Sequence, residues 1–404
     1  MSKYPKDLFV ECMSKSVLLL AILSFVSCGS PNREKDNVCI VVDFIGAQER
    51  SIYMDEIFDQ VEIVPLETSS SCLLTGEPFV LALTDSFIVL SNSTREAFLF
   101  DRASGRFVHR IGRQGNGPNE YFYLIFDACF DRYHDVIYAN KGNKWIGLNI
   151  KDNIVGDLVY KPKMSDKEGI LSVINPYRLN DSLYIGYVNN LTGEEKLKLV
   201  VFNREGEVIR IYPNLFQYYM EQPFMASFCP GYFYKYDTEL CFYGGVYKDT
   251  IYTVEEDRLY PKYAIALNEK SPYKALGTSE HESKDFNYLV RMMEYESYLL
   301  FSYFGKEEIG TGVGFYDKEK KETVRSEKAD GGFVFRGSKG PSFFFRYMND
   351  KGYVVGYWTA AQWTEYLEKQ GQSEGIPESL SDIRNEDNPI MVIAHVKNKF
   401  HLWI

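Results

Sequence analysis

The sequence predicts an all-β chain, and three observations carry that prediction. Tyr and Phe supply 31 and 28 of the 404 residues, and both side chains favour pleated, half-buried surfaces. From Val38 almost to Ile404 the chain runs in short apolar or alternating stretches broken by Asn, Asp and Gly, the pattern of strands and turns. The same order of stretches recurs at intervals of roughly 45 to 60 residues. A sheet of that size cannot bury both faces by itself, whereas a ring of such sheets around an axis can.

The N-terminal part is of another kind. Met13 to Cys28 reads as a lipoprotein signal: Lys15, an apolar run from Val17 to Val26, small residues, then Cys28 followed by Gly29 and Ser30. About 10 apolar residues suit a signal, and a membrane span needs roughly 20. Asp7 and Glu11 would burden the signal if it began at Met1, so translation from Met13 fits better. Residues 1–28 are therefore expected to be signal and lipobox, with Cys28 lipidated, and 29–37 a polar, flexible tether. Residues 38–404 are expected to form the folded domain.

Along that domain the units have one grammar. Phe87–Leu90 is followed by Phe98–Asp101, a Ser104-Gly105 turn and Phe107-Val108; Asp135–Tyr138 leads to Trp145–Leu148 and an Asp152-Asn153 turn. Asp181–Ile185, Lys198–Phe202, Glu205-Gly206 and Val208–Ile211 repeat it, as do Glu239–Phe242, Thr250–Val254 and Glu256-Asp257. Tyr298–Phe301, Gly314–Tyr316, Lys318-Glu319 and Thr323-Val324 make a fifth unit. Material after Phe333, joined by an early strand at Val38–Phe44 or Val61–Leu66, suffices for a sixth, giving a six-bladed β-propeller; five or seven blades are the competing counts. An N-terminal strand completing the last blade would remove an open edge. Ala360–Gln370 places Trp363, Tyr366 and Leu367 at helical spacing and is expected to pack at the rim.

Five segments together resemble one known group. VEIVPLETS at 61–69, the DSFIVL strand, LFDRASGRFVHRIGRQGNGPNEY at 99–121, KDTIYTVEEDRLYPKYAI at 248–265 and NPIMVIAHVKN at 388–398 resemble the six-bladed β-propeller lipoproteins of Gram-negative gut bacteria, which look related to NHL-repeat propellers. The resemblance covers almost the whole chain after Cys28 and implies a blade count and an envelope lipoprotein, with no catalytic residue to carry over.

Charge and motifs narrow the function further. The net charge is −11, and loss of residues 1–27 removes three lysines and two carboxylates, so the remainder is one unit more negative. Such a body disfavours nucleic acid and anionic membrane surfaces, leaving the lipid as the membrane contact. Seven cysteines stand at 12, 28, 39, 72, 129, 229 and 241 without Cys-x-x-Cys spacing, and Cys129 and Cys241 fall in apolar strands. The histidines at 109, 134, 281, 395 and 401 are isolated, so neither metal nor cofactor is expected. No serine nucleophile and no Ca²⁺ loop is expected either.

Gly112–Tyr121 lacks the Gly-Lys-Ser/Thr ending of a phosphate loop. Gly115 and Gly117 are expected to supply positive φ in an interblade connection, with Arg113, Asn119, Glu120 and Tyr121 as candidate ligand contacts if the loop lies on the channel face. Aromatic clusters at 216–219, 231–236 and 343–347 are expected to fill the wedge between blades, and Leu215–Met220 ranks first if an aromatic binding surface exists. The leading expectation is an outer-membrane lipoprotein, periplasmic or cell-surface, that binds a peptide, protein or glycan through loops on one face. An envelope hydrolase or lyase at the channel, and a structural partner of another envelope complex, are the alternatives.

Overall fold

The computed structural model describes residues 39–92, 96–122, 124, 129–153, 155–164, 170–190, 195–214, 230–245, 249–268, 286–337, 339–370 and 378–397. Cys28, the tether at 29–37 and the aromatic segment 215–220 lie outside the described residues. Six four-stranded antiparallel sheets form a six-bladed β-propeller. In blade 1 the strands are Phe79–Leu83, Phe87–Ser91, Ala97–Asp101 and Phe107–Ile111, from the axis outwards. Blades 2 to 5 repeat that order, with innermost strands Cys129–Asp131, Val173–Arg178, Pro230–Tyr236 and Tyr288–Glu294.

The blade interiors follow from the sequence pattern. Middle strands such as Leu197–Asn203 carry apolar residues on both faces because neighbouring blades cover both, and they are buried along almost their whole length. Outer strands such as Val208–Pro213 alternate, since one face meets a blade and the other meets water. The predicted turns join the third and fourth strands. Gly105, Asn153 and Gly206 all take positive φ there, at +69°, +61° and +84°.

Ring closure uses the second of the two early strands. Blade 6 consists of Phe345–Met348, Tyr353–Trp358, Ile390–Val396 and, outermost, Phe58–Pro65, with Val392 opposite Ile63. Pro65–Thr68 and Asn388, which stand at opposite ends of the sequence, meet at this seam. The Asn388 amide donates from Nδ2 to the Glu67 and Cys72 carbonyls (2.7 and 3.0 Å) and accepts from the Leu74 N–H (2.8 Å). Its own N–H donates to Thr68 Oγ1 (2.9 Å). Arg102 of blade 1 reaches across the seam, donating from Nε and Nη2 to both oxygens of Glu62 (3.0 and 2.6 Å).

The first early strand has a different place. Ile40–Asp43 pairs in parallel with Tyr263–Ala266 as a fifth strand on blade 4, and Gln48-Glu49 pairs in parallel with Val324-Arg325 on blade 5. Ile52-Tyr53 then pairs with Phe333-Val334 before the chain enters blade 6. Residues 40–57 thus form a strap along the outer edges of consecutive blades, held by Phe44, which is fully buried edge-on against Tyr303 with ring centroids 5.0 Å apart.

Blades 4 and 5 share a buried ionic knot. Glu294, 3% exposed, accepts at Oε1 from the Tyr263 hydroxyl (2.7 Å) and from Lys318 (2.8 Å), and its Oε2 lies 2.7 Å from Lys262. Burial alone would lower the Lys262 pKa, but the Glu294 carboxylate outweighs it and leaves the ammonium above its ordinary value. The helix Ala360–Gln370 forms as expected, inserted between the second and third strands of blade 6. Trp363 stacks on Trp358 at 5.5 Å and donates from Nε1 to the Leu380 carbonyl (2.9 Å).

Candidate functional site

The innermost strands of all six blades enclose a central channel with a cavity of about 560 Å³. Its wall is built with β-bulges, each of which adds one residue and re-aims its neighbours. Register shifts occur at Leu81 in blade 1, at Asn175-Pro176 in blade 3 and at Val290 in blade 5, and all of these residues line the cavity. The bulge in blade 5 explains why the consecutive residues Val290 and Arg291 both face the channel, where ideal alternation would turn one away.

Charged groups gather at the end where the first and second strands of each blade turn. In blade 2, Asp131 accepts from the Tyr133 N–H (3.0 Å) and pairs with His134 Nδ1 (2.7 Å), while Asp135 adopts a φ of +52°. That turn holds Arg132 and Tyr133 over the opening. In blade 6, the Asn349 side chain accepts from the Lys351 and Tyr353 N–H groups (3.1 and 3.0 Å), which fixes Asp350. Arg132 then pairs with Asp350, and Asp350 Oδ2 also receives the Lys235 N–H of blade 4 (3.4 Å). Blades 2, 4 and 6 are not neighbours in the ring, so these contacts cross the mouth of the channel. Arg178 of blade 3 lies 3.6 Å from the buried Asp131, and at the rim Lys351 meets Asp85 (3.1 Å) and Lys151 meets Asp135 (2.6 Å).

Aromatic rings complete the wall. Phe130, Tyr177, Phe233 and Tyr347 line the cavity, and Tyr133, 59% exposed, stands at its edge. Burial pushes the Tyr177 phenol above its ordinary value and the Tyr347 phenol up to about 12, so both remain neutral at physiological pH. Of the three aromatic clusters, 231–236 and 343–347 divide between wedge and channel: Phe343 and Phe345 are buried away from the cavity, whereas Tyr232, Phe233, the buried Tyr234 and Tyr347 line it.

The residues singled out in Arg113–Tyr121 do not line this cavity. Tyr121 is 1% exposed and belongs to the core between blades 1 and 2. The loop closes on itself: Glu120 Oε2 accepts from the Gly117 N–H (2.8 Å), and Arg113, largely exposed, lies 3.4 Å from Glu120. Asn119 borders a separate groove with Gly112, Asn153 and Arg204 on the outside of blade 2. The expected positive φ at Gly115 and Gly117 is also corrected, because Gly112 has it instead, at +61°. At Gly115 and Gly117 a Cβ would stand 2.1 and 3.0 Å from the Glu120 side chain, which packs over both.

The described cysteines, 39, 72, 129 and 241, form no disulfide with one another, and no group of three metal-ligating residues occurs among the described residues. The string GQSEG at 371–375 does have Gly-x-Ser-x-Gly spacing, contrary to the expectation that no serine motif is present. It follows a helix instead of joining a strand to one, as a nucleophile elbow does, and it lies outside the described residues.

Asp131, Arg132, Arg178, Arg291 and Asp350 escaped the sequence reading because they come from four different units, and Arg291 stands beside a bulge as well. A repeat-by-repeat alignment of the polar turns at Asp85, Asp131, Asp181 and Asp350 would have brought most of them together.

Fold and channel define the class: a six-bladed propeller with a polar, aromatic-walled central cavity. The chain belongs to the family of the domain of unknown function DUF4934, whose model matches residues 39–395. A crystal structure of a Bacteroides fragilis NCTC 9343 protein, whose given name proposes that it is exported, is similar over 89% of this chain and 100% of that one. It has 20% identity and a TM-score of 0.67, a likeness of fold. The WD40 β-propeller domain of Doa1 (10% identity, 59% of this chain, 64% of that one) and the computationally designed Ika8 protein (8%, 74% and 85%) overlap at a TM-score of 0.34, and no argument rests on them. No curated protein matches the chain.

Proposed function

We propose that this protein is an exported, lipid-anchored binding module whose ligand enters the central channel at the end formed by Arg132, Tyr133 and Asp350. The observation that carries this reading is the cavity itself: about 560 Å³, lined from all six blades and within the size range of ligand pockets. Recognition suits the geometry better than hydrolysis or lyase chemistry. Asp131 and Asp350 are each already engaged by a guanidinium and by a backbone N–H, contacts that hold the turns at the channel mouth in place. Export rests on the Met13–Cys28 pattern and on the name of the Bacteroides relative, and lipidation of Cys28 would place the propeller at the outer membrane. Arg113 and Asn119 remain a proposed second contact surface on the outside of blade 2, with Glu120 and Tyr121 supporting the loop from within.

A thermal-shift screen of the full chain against peptide, glycan and divalent-metal panels tests the binding reading. A ligand at 100 times its Kd adds about 2.7 kcal/mol of stability. The gain should shrink in Tyr133→Ala; a gain that Tyr133→Ala leaves intact would move the site elsewhere. Cys28→Ala should release the protein from membranes, and unchanged retention would remove the anchor.

A further inference from the structure

The charges that line the channel do not balance. Asp85, Asp131, Asp135 and Asp350 are opposed by Lys351, Arg178, Lys151 and Arg132, one cation for each carboxylate. A fifth cation, Arg291, also lines the cavity, and among the described residues it has neither a carboxylate nor a hydrogen-bond partner. It is half-buried, projects from the bulged strand of blade 5 beside Val290 and Met293, and shares the cavity with Phe130, Tyr177, Phe233 and Tyr347. A guanidinium held partly out of water lacks the solvation that a paired anion restores, and its planar fork matches a carboxylate with two parallel hydrogen bonds.

Building on the channel reading above, we propose that the cavity takes an apolar carboxylate, its anionic group on Arg291 and its ring or side chain against the aromatic wall. The source is either a small free acid or the free C-terminus of a peptide ending in an apolar residue, since both offer the same chemistry. Neutral glycans do not meet this requirement.

Titrating the full-length protein with phenylacetate and phenylacetamide, and with acetyl-Ala-Ala-Phe as its free acid or its amide, tests the inference. One acid should bind at least 10-fold more tightly than its amide. Arg291→Gln should abolish that preference, and Arg291→Lys, which keeps the charge without the fork, should retain part of it. Preference for phenylacetate identifies a free acid, and preference confined to the peptide acid identifies a chain terminus. Equal binding of acids and amides, or a preference that survives Arg291→Gln, overturns the anion site; if Tyr133→Ala weakens that binding, the channel reading stands without it. Absence of binding by every probe also overturns the anion site, while the panel screen decides the broader reading independently.

Discussion

Removing Glu294 should be among the most damaging single changes to this propeller. Its carboxylate is almost fully buried and receives Tyr263, Lys262 and Lys318 at 2.7, 2.7 and 2.8 Å. Both ammonium groups also sit over the Tyr236 ring, at 4.4 and 4.3 Å from its centroid, so neither can swing away without losing a second contact. In Glu294→Ala Lys262 keeps only Glu239 (2.9 Å), Lys318 keeps only the Tyr236 hydroxyl and the Tyr295 carbonyl, and the buried Tyr263 hydroxyl loses its acceptor. Deleting one partner of a buried ionic group costs about 3 to 5 kcal/mol. The lysine side chains keep roughly a fifth of their exposure, which places the expected loss near the lower end, about 3 kcal/mol. Glu294→Gln keeps an acceptor for Tyr263 and should lose about half as much. The triple variant Glu294→Met, Lys262→Met, Lys318→Met should regain most of the stability, because apolar replacement of a whole buried ionic group is often neutral. Urea unfolding followed by fluorescence gives the midpoints and slopes. The reasoning fails if Glu294→Ala lies within about 1 kcal/mol of wild type, or if the triple variant is as unstable as the single one.

Two further changes probe backbone and proton linkage. Gly105→Ala should cost about 3 kcal/mol or more, because φ is +69° and the new Cβ would lie 2.0 Å from the Pro65 carbonyl oxygen at the ring seam. Gly337→Ala, at φ +78° with open space around it, should cost only about 1 to 2 kcal/mol; equal losses by denaturation would refute the seam argument. Burial pushes the Cys241 thiol, partly opposed by Lys262, and the Tyr121 and Tyr357 phenols up to about 12. These groups hold their protons more tightly when folded, so their contribution is full below about pH 9 and is lost as pH rises toward 12. Urea midpoints measured from pH 7 to 11 should fall by the equivalent of about 3 to 5 kcal/mol, and a flat profile would contradict the burial argument.

The sequence made the blades legible because each blade is local: its four strands follow one another, and turn residues such as Ser104-Gly105 and Asp152-Asn153 mark the ends. The helix at 360–370 was legible for the same reason, through Trp363, Tyr366 and Leu367. What was not legible depends on distance along the chain or on register. Ile40–Asp43 and Phe58–Pro65 both read as early strands, and only the partners at 263–266 and 390–396 show which one closes the ring. The glycines in Arg113–Tyr121 looked like turn-makers, whereas Gly112 just ahead of them is the one that takes positive φ. The channel was hidden most completely, because one extra residue at Val290 decides that Arg291 faces it and strict alternation gives no sign of a bulge.

The seam in blade 6 also sets an order in time. Residues 58–65 have no β partner until 390–396 is made, and the strap ahead of them has none until 263–266 and 324–325 are. Blades 1 to 3 are built from neighbouring strands and can form without that stretch. Closing so long a loop is slow, and until it closes the third strand of blade 6 presents an open edge to other chains. The interval between the first blade and the last is therefore when this protein is most exposed to aggregation, and a partner able to shield Ile390–Val396 would act in that interval.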